Sequence, residues 1–475
     1  MDRTKDLNRA YKDWILSKGI DGTTVKEKED GILLESDYAT ACVNFYEMEM
    51  TVVELRITSR KNDETAFFLH FELRDLDYAI DLFKEMEETF KDIGRRHSLQ
   101  VLLSCTSALT TGLMAEKLNE AARLSGMEYS FDAVPFPELY EKAPDYDILL
   151  LAPQLSYESG RIRKILDNMT VLDIPPRMFG TYDANAILEL VRNEVSNKTN
   201  ENHKKGSLKS VEVEHNELSV LTLAFLMQER GMANIVCRYY KGGCAQNEET
   251  YVRKPRNFIT EVCDILDSAK FMGSHYDMIG ITMPGEVWDG RIYLNMWKLT
   301  DINVKKELEE KYHVPVILNN NAQVGAYGFW MRHKHYKSAV FMSQSNGSRF
   351  GGAGIVANGR LLSGSHGIAG EIKYILRRIY GLTLNPFNIV GPEEMQETMD
   401  LYVRCVIGLI DPEIILFRNR MIPDEKTLRE SLLRTVPERV IPKLRKISDE
   451  DALEYMLLGI MMISLESYGA NDHLY

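Results

Sequence analysis

The stretch that decides the fold is Leu102-Leu103-Ser104-Cys105-Thr106-Ser107-Ala108-Leu109-Thr110-Thr111-Gly112, followed by an amphipathic run. Residues 100–104 form an apolar run ending at small polar residues, which predicts a buried strand. Residues 111–123 place apolar and polar side chains at helical spacing. Small residues between them let backbone amides approach an anion, and a helix N-terminus adds positive potential. Such potential favours a thiolate, so Cys105 is a candidate nucleophile, with a buried strand cysteine as the alternative.

This strand, loop and helix resemble the IIB component, of the lactose/cellobiose type, of the sugar phosphotransferase system (PTS). The phosphocysteine loop of those domains reads C-S-A-G-M-S-T-S-L, and the run here has Ala108 for the glycine and Leu109 for the methionine. Leu149 to Tyr157 resembles their L-L-G-P-Q-x-x-Y segment, and the resemblance covers about residues 98–196. It implies a doubly wound parallel sheet in which Cys105 carries a phosphoryl group. The implied phosphate loop comprises Thr106, Ser107, Ala108, Leu109, Thr110, Thr111 and Gly112.

Length and composition limit the class of protein. A chain of 475 residues, 44% apolar and 27% charged, predicts a globular protein of two or three domains. A net charge of -13 argues against a general nucleic-acid binder. The six cysteines are scattered without a C-x-x-C pair, so neither a zinc ribbon nor a disulfide framework is expected. No metal and no other cofactor is predicted. The charged N-terminus and the lack of a long apolar run predict a cytoplasmic protein.

Residues 1–95 predict a small α+β domain of unknown role. Several runs alternate apolar and polar residues as strands do, between a polar helix and an amphipathic helix over 76–93. His70 lies among apolar residues, where it is either a phosphate acceptor or a strand histidine with a satisfied hydrogen bond. Residues 197–215 are polar and charged and are predicted to be a linker.

Residues 216–475 resemble the ROK family of sugar kinases and sugar-responsive repressors, which have a two-lobed actin-like ATPase fold. The family also implies homo-oligomers formed through this region, and a sugar site. On the matching motifs the sugar contacts would be Asn320, Asn321, Glu371 and Gly285, although Gly and Asn are also common turn residues. The motifs are Gly280–Gly290 for G-x-x-x-P-G-x-V-D-x-G, Asn320–Gly328 for N-D-A-N-x-A-A-x-G, Gly367–Glu371 for G-x-A-G-E, and Asp411–Ile415 for D-P-E-x-I.

Departures from the ROK pattern predict that kinase activity is lost. Asn321 stands where the kinases have an aspartate general base, and an amide cannot accept that proton. Leu223–Gln228 lacks the carboxylate and glycines of the first phosphate loop, and Ser348–Phe350 replaces glycine-rich positions of the second. Phe417–Arg420 stands where an adenosine-side glycine run belongs, and Ile372–Tyr374 lacks the zinc-ligand histidine.

Together the two resemblances predict a PTS IIB-like phosphotransfer protein fused to a ROK-like sugar-sensing domain. Cys105 would take its phosphoryl group from the phosphohistidine of a IIA-type partner. A membrane IIC transporter and a sugar or sugar phosphate are further expected partners, whereas the strand-rich, non-basic residues 1–95 do not predict DNA binding. The alternative is a non-catalytic regulatory protein of carbohydrate uptake. A third hypothesis, an active ROK sugar kinase, would require a substitute for Asn321.

Overall fold

The structure is a computed structural model of the 475-residue chain. The residues it describes are 2–28, 30–47, 51–60, 64–95, 99–106, 108–125, 127, 129–166, 169–197, 217–227, 232–254, 257–271, 275–294, 299–344, 351–375 and 391–472.

The N-terminal segment is an antiparallel five-stranded meander with one helix before it and one after it. Buried and half-exposed residues alternate along β3, because one face of the sheet packs under both helices. The elements are α1 (Asp2–Lys18), β1 (Thr24–Lys28), β2 (Gly31–Glu35), β3 (Ala39–Glu47), β4 (Thr51–Ser59), β5 (Thr65–Glu72) and α2 (Leu76–Arg95).

Residues 99–197, which we call the inserted region because the strands before and after them belong to one sheet, form a parallel four-stranded sheet of order β7-β6-β8-β9. It confirms the predicted parallel sheet with helices on both faces. Its strands are β6 (Leu99–Cys105), β7 (Tyr129–Pro135), β8 (Ile148–Leu151) and β9 (Thr170–Asp173). Its helices are α3 (Ala108–Leu124), α4 (Leu139–Lys142), α5 (Ser159–Ile165), α6 (Pro176–Gly180) and α7 (Ala184–Asn197).

Beyond residue 216 the chain forms two lobes with the same strand order, which confirms the two-lobed fold expected from the sequence. In each lobe three antiparallel strands are followed by two that run parallel to the first. The first lobe contains β10 (Ser219–Met227), β11 (Ala233–Lys241), β12 (Cys244–Arg253), α8 (Phe258–Phe271), β13 (Met278–Met283), the small sheet β14 (Glu286–Trp288), β15 (Arg291–Leu294) and β16 (Leu299–Asn303), then α9 (Val304–Tyr312) and β17 (Val316–Asn320).

Helix α10 (Asn321–Arg332) leads from the first lobe to the second and packs against the last helix of the chain. The elements of the second lobe are β18 (Ser338–Gln344), β19 (Gly351–Ala357), β20 (Arg360–Leu361), α11 (Pro392–Ile410), β21 (Ile414–Arg418), α12 (Glu425–Leu432), β22 (Lys443–Lys446) and α13 (Asp449–Asp472).

The inserted region is joined in sequence to the first lobe but packs against the second. One face of its sheet, with Val101 and Leu103, packs under α3 and α7. The other face, with Leu102 and Leu149, belongs to a core that also contains residues of α11, α12 and β21. Lys164 on α5 adds an ion pair of 3.0 Å to Asp424 at the start of α12. The region therefore connects the two lobes, through the backbone on one side and through a hydrophobic core on the other.

The N-terminal segment continues the sheet of the first lobe. Residues 1–95 contain helices and antiparallel strands, as expected for a small α+β domain. Their strand β5 pairs with β12 of the first lobe, and one sheet of ten strands results. A single hydrophobic core contains Phe67 and Phe83 together with Leu223 and Ile279. This pairing covers what would otherwise be an open edge of the lobe.

Buried charges cross this seam between β5 and β12. His70 is 3% exposed, with Nε2 3.0 Å from Glu54 Oε2 and Nδ1 3.5 Å from Glu249 Oε1. Burial favours the neutral imidazole, but hydrogen bonds and charge from Glu249 and Glu54 outweigh it and raise the pKa of His70 to about 9. The hydrogen bond between Nε2 and Glu54 supports the hypothesis of a strand histidine with a satisfied hydrogen bond over that of a phosphate acceptor, because that nitrogen is already engaged.

We expect the His70 ion pairs to make stability fall in alkaline solution. The pKa of His70 is 6.5 when unfolded and about 9 when folded, so the contribution is complete below pH 6.5 and is lost as the pH rises through 9. The shift corresponds to about 3 kcal/mol. Denaturant unfolding of the native chain and of His70→Gln, each at pH 6 and pH 9.5, measures this loss. The difference between the two proteins isolates the contribution of His70, because other titrating groups such as Asp264 affect both proteins alike. Equal losses of stability in both proteins would contradict the prediction.

Candidate functional site

Cys105 is the last residue of β6, an inner strand of the inserted sheet. Its position at the carboxyl end of a parallel strand is where such sheets bind ligands. The residue is 2% exposed, and its Sγ lies 3.5 Å from the Thr111 hydroxyl. Thr111 is itself fully buried on α3, whereas Thr106 is exposed. The thiol therefore lies directly beneath the first turns of α3.

The residues after Cys105 enter the helix sooner than expected. The sequence predicts a helix from Thr111, but α3 begins at Ala108, because Ala-Leu-Thr-Thr can form a helical turn as well as a loop. In such a helix the amides of Ala108, Leu109 and Thr110 have no acceptor within the helix. Thr111 presents its hydroxyl to the Cys105 sulfur from the first turns of this helix. Ser107, also predicted for the phosphate loop, lies outside the described residues.

Asn321, predicted as a sugar contact, has both atoms of its amide engaged by the first lobe. Its Oδ1 accepts a 2.8 Å hydrogen bond from the Thr282 hydroxyl on β13, and its Nδ2 donates at 2.9 Å to the Phe225 carbonyl on β10. A carbonyl only accepts hydrogen bonds, so this contact fixes which end of the amide is nitrogen. Asn321 therefore links two strands of the sheet at the position where the kinases have their general base.

Asn320 and Gly285, two further sugar candidates, contact each other. Asn320 Oδ1 accepts from the Ala322 amide at 2.8 Å and caps α10, while its Nδ2 donates to the Gly285 carbonyl. Gly285 has a φ of 98°, and a Cβ there would lie 2.8 Å from the Tyr293 carbonyl oxygen. A turn glycine and a helix cap account for both residues. Their structural roles leave backbone atoms, rather than free side chains, for a ligand.

Glu371, the fourth sugar candidate, is paired with a lysine that the sequence analysis does not single out as a site residue. Lys373 Nζ lies 2.9 Å from Glu371 and 2.8 Å from Glu286 on β14. Burial would lower the pKa of Lys373, but the two carboxylates outweigh it and raise it. The Tyr374 hydroxyl donates to Glu286 as well. No periodicity marks Glu286 and Lys373 in the sequence, since they come from separate elements and meet only in the fold.

The positions expected to bind a nucleotide are filled by protein contacts where the structure describes them. Arg418 and Arg420 both pair with Asp449 at the start of α13. Asn419 donates to Gln344 and is 6% exposed. Leu223 and its neighbours lie inside β10 as buried strand residues rather than in a phosphate loop. Residues 348–350, which replace glycine-rich positions of the second phosphate loop, lie outside the described part of the chain.

The described residues contain neither a grouped set of metal ligands nor a membrane-spanning helix. Among them, no group of three or more His, Cys, Asp or Glu side chains is placed to hold a metal ion. Within the same residues, no helix combines the length and the apolar character that crossing a bilayer requires.

Two family models match the chain in separate places. Residues 100–190 match the model described as PTS system, Lactose/Cellobiose specific IIB subunit. Residues 234–378 match the model described as ROK family. The first match contains Cys105 and the second contains Asn320, Asn321 and Glu371. The chain thus joins a PTS IIB-type region to a ROK-type region.

Curated relatives fall into the same two groups. A glucokinase of Halalkalibacterium halodurans is 37% identical over 126 residues, 24% of this chain and 37% of its own length. A xylose repressor of Bacillus subtilis is 34% identical over 103 residues, 20% of this chain and 26% of its own. The PTS system oligo-beta-mannoside-specific EIIB component of Bacillus subtilis is 29% identical over 92 residues, 19% of this chain and 89% of its own. The chain spans between 26% and 54% of the first three curated relatives it matches.

Solved structures similar to the chain include a ROK family protein from Streptococcus pneumoniae in complex with sucrose. It is 16% identical with a TM-score of 0.41, and the match covers 52% of this chain and 99% of that one. A cellobiose-specific phosphotransferase IIB component from Borrelia burgdorferi is 23% identical with a TM-score of 0.20, covering 22% and 96% respectively.

Proposed function

We propose that this chain, in which a IIB-type region is inserted ahead of a ROK-type region, accepts a phosphoryl group on Cys105 and links PTS phosphorylation to sugar sensing. The observation that carries the proposal is the position of the Cys105 sulfur, at the carboxyl end of β6 and beside Thr111 in the first turns of α3. The donor would be the phosphohistidine of a IIA-type protein. Intact mass after incubation with phosphoenolpyruvate, the general PTS proteins and such a IIA tests the transfer.

The chemistry is a displacement at phosphorus. The Cys105 thiol gives its proton to the solvent, the thiolate attacks the phosphoryl group, and an S–P bond forms as the P–N bond to the donor imidazole breaks. The freed ring nitrogen takes up a proton from the solvent, so the donor leaves as a histidine. The amides of Ala108, Leu109 and Thr110 and the Thr111 hydroxyl can donate hydrogen bonds to the phosphoryl oxygens. The positive end of the helix favours the added negative charge.

A second candidate function, a non-catalytic regulator of carbohydrate uptake, is favoured by the state of the kinase site. The side-chain amide of Asn321 is hydrogen-bonded to Thr282 and Phe225. The positions where the kinases bind adenosine are occupied by the ion pairs of Arg418 and Arg420. In this role the phosphorylation state of Cys105 would report transport, and the ROK-type region would bind a sugar without phosphorylating it. The two functions share the phosphocysteine, and they differ in whether the phosphoryl group moves on through a IIC transporter to a sugar.

The Asn321 contacts predict that restoring the kinase carboxylate harms the protein. In Asn321→Asp a carboxylate oxygen replaces the Nδ2 donor and faces the Phe225 carbonyl, so two acceptors meet. We expect a loss of about 1–3 kcal/mol in the free energy of unfolding. Urea unfolding measures it, with a sugar-dependent ADP assay on the same samples, in which neither protein should turn over ATP.

Asn319→Asp is the matched control. The Asn319 Oδ1 accepts a hydrogen bond from the Asn320 amide, and a carboxylate keeps that role. We expect it to cost much less stability than Asn321→Asp. A variant Asn321→Asp as stable as the native chain, or ATP-dependent sugar phosphorylation by the native chain, would contradict this description of the site.

We predict that the protein acts in the cytoplasm. We also predict that it forms homo-oligomers through the ROK-type region. A IIB-type region implies IIA and IIC proteins and a sugar as partners.

A further inference from the structure

Two large aromatic side chains are exposed beside the Glu286, Lys373 and Glu371 cluster. Trp288 on β14 is 42% exposed and Tyr374 is 47% exposed. The ring of His366 lies beside that of Trp288, and the two ring centroids are 5.4 Å apart. We call Trp288, His366 and Tyr374 the aromatic lip. Exposed aromatic rings next to charged hydrogen-bonding groups are typical of sites that bind amphipathic ligands.

The lip is held in place by close backbone packing. Gly367 has a φ of 68°, and a Cβ there would lie 2.2 Å from the Val287 carbonyl oxygen, so the loop after β20 lies directly on β14. Gln323 on α10 donates at 2.8 Å to the Gly367 carbonyl. Strand β14 and helix α10 therefore fix the loop that carries His366, and the backbone beside the rings of His366 and Trp288 is preorganised for a ligand.

The charges beside the lip argue against an anionic ligand. Glu286 and Glu371 contribute two negative charges and Lys373 one positive charge, which leaves one net negative charge. Lys373 has three N–H donors, two of which are directed to Glu286 and Glu371, and each carboxylate oxygen can accept more than one hydrogen bond, so the cluster can bind vicinal hydroxyls. A phosphate group placed there would meet the net negative charge.

The spacing along β14 indicates two consecutive subsites. Glu286 and Trp288 are two residues apart and point to the same face, while Val287 between them is buried. Residues so placed on a strand are about 7 Å apart. This distance is comparable to the length of one pyranose ring, so a sugar held by Glu286 would place its neighbour over Trp288.

We propose that the aromatic lip binds the second ring of a neutral glycoside whose first ring lies at the Glu286, Lys373 and Glu371 cluster. The inference rests on the proposed sugar binding by the ROK-type region and adds the ligand class, a neutral sugar of at least two rings. The apolar C–H face of the second ring stacks on Trp288, while its hydroxyls point to solvent.

Titration calorimetry on the full chain tests the proposal with cellobiose, lactose, maltose and sucrose, each beside its constituent monosaccharides. We expect at least one disaccharide to bind more tightly than its monosaccharides by about tenfold, the range of an aromatic contact. Trp288→Ala should remove this difference and leave the monosaccharide affinity unchanged. Leu409→Ala, which removes an exposed apolar side chain from α11, is the matched control and should change neither affinity.

The outcomes separate this inference from the function it rests on. If monosaccharides bind but no disaccharide binds more tightly, or if Trp288→Ala keeps the preference, the lip has no such role and sugar sensing survives. If none of these sugars binds, the inference and the sugar-sensing part of the proposed function both fail, and phosphoryl acceptance by Cys105 is unaffected. Tighter binding of cellobiose 6-phosphate than of cellobiose would overturn the charge argument and the neutral ligand with it.

Discussion

Cys105→Ser is expected to abolish phosphoryl acceptance by this chain. A serine hydroxyl is a much weaker nucleophile toward phosphorus than the sulfur of a cysteine. The side chains are similar in size, and Cys105 makes a close contact to Thr111 that a hydroxyl can also make, so the fold should survive. In the native chain, incubation with phosphoenolpyruvate, the general PTS proteins and a lactose/cellobiose-type IIA should add the mass of one phosphoryl group. The variant should gain none.

Two further variants make the result specific. Cys405→Ser changes a half-buried cysteine on α11, far along the chain from the site, and should leave the mass gain intact. Thr111→Ala removes the hydroxyl beside the sulfur and should slow the transfer by about a hundredfold, as removal of one preorganised donor does. A mass gain retained in Cys105→Ser would place the phosphoryl group elsewhere and refute the proposal. No gain in the native chain with several IIA donors would do the same.

Leu428→Asp is expected to destabilise both the second lobe and the inserted region. Leu428 on α12 is fully buried in the core that also contains Leu102 and Leu149 of the inserted sheet. An aspartate there places an unpaired carboxylate among apolar side chains, which costs about 4 kcal/mol or more. Hydrogen exchange by mass spectrometry should show faster exchange in β6 and β8 as well as in α12. The effect on β6 is the informative part, because it connects the second lobe with the strand that carries Cys105.

Leu433→Asp is the matched control for this variant. Leu433 directly follows α12 and is 43% exposed, so its aspartate stays hydrated and should cost little. If Leu428→Asp speeds exchange in α12 while β6 and β8 keep native protection, the inserted region does not depend on the shared core. A signal from Cys105 to the second lobe would then lack a structural route.

Much of the region around Cys105 can be predicted from the sequence. The apolar strand, the small residues after it and the helical pattern that follows lie next to one another in the chain. The apolar run into Cys105 predicts β6, and the structure has it over Leu99–Cys105. The predicted start of the following helix was wrong by three residues, since small residues favour a loop and a first helical turn about equally. Strand β12 was not predicted, because polar residues such as Glu249 give it no apolar pattern typical of a strand. Its place in the sheet depends on the pairing with β5, which is distant in the sequence.

What the sequence by itself determined are features encoded within a few residues: the strand that ends in Cys105, the Asn321 that replaces a carboxylate, and the ordered motifs of two families. Only the tertiary structure decided which distant residues meet. It joined β5 to β12 around His70, placed the inserted sheet on the second lobe, and brought Lys373 between Glu286 and Glu371. The physical reason is that burial and ion pairing depend on the whole packing of the chain, whereas periodicity records only which face of an element is apolar.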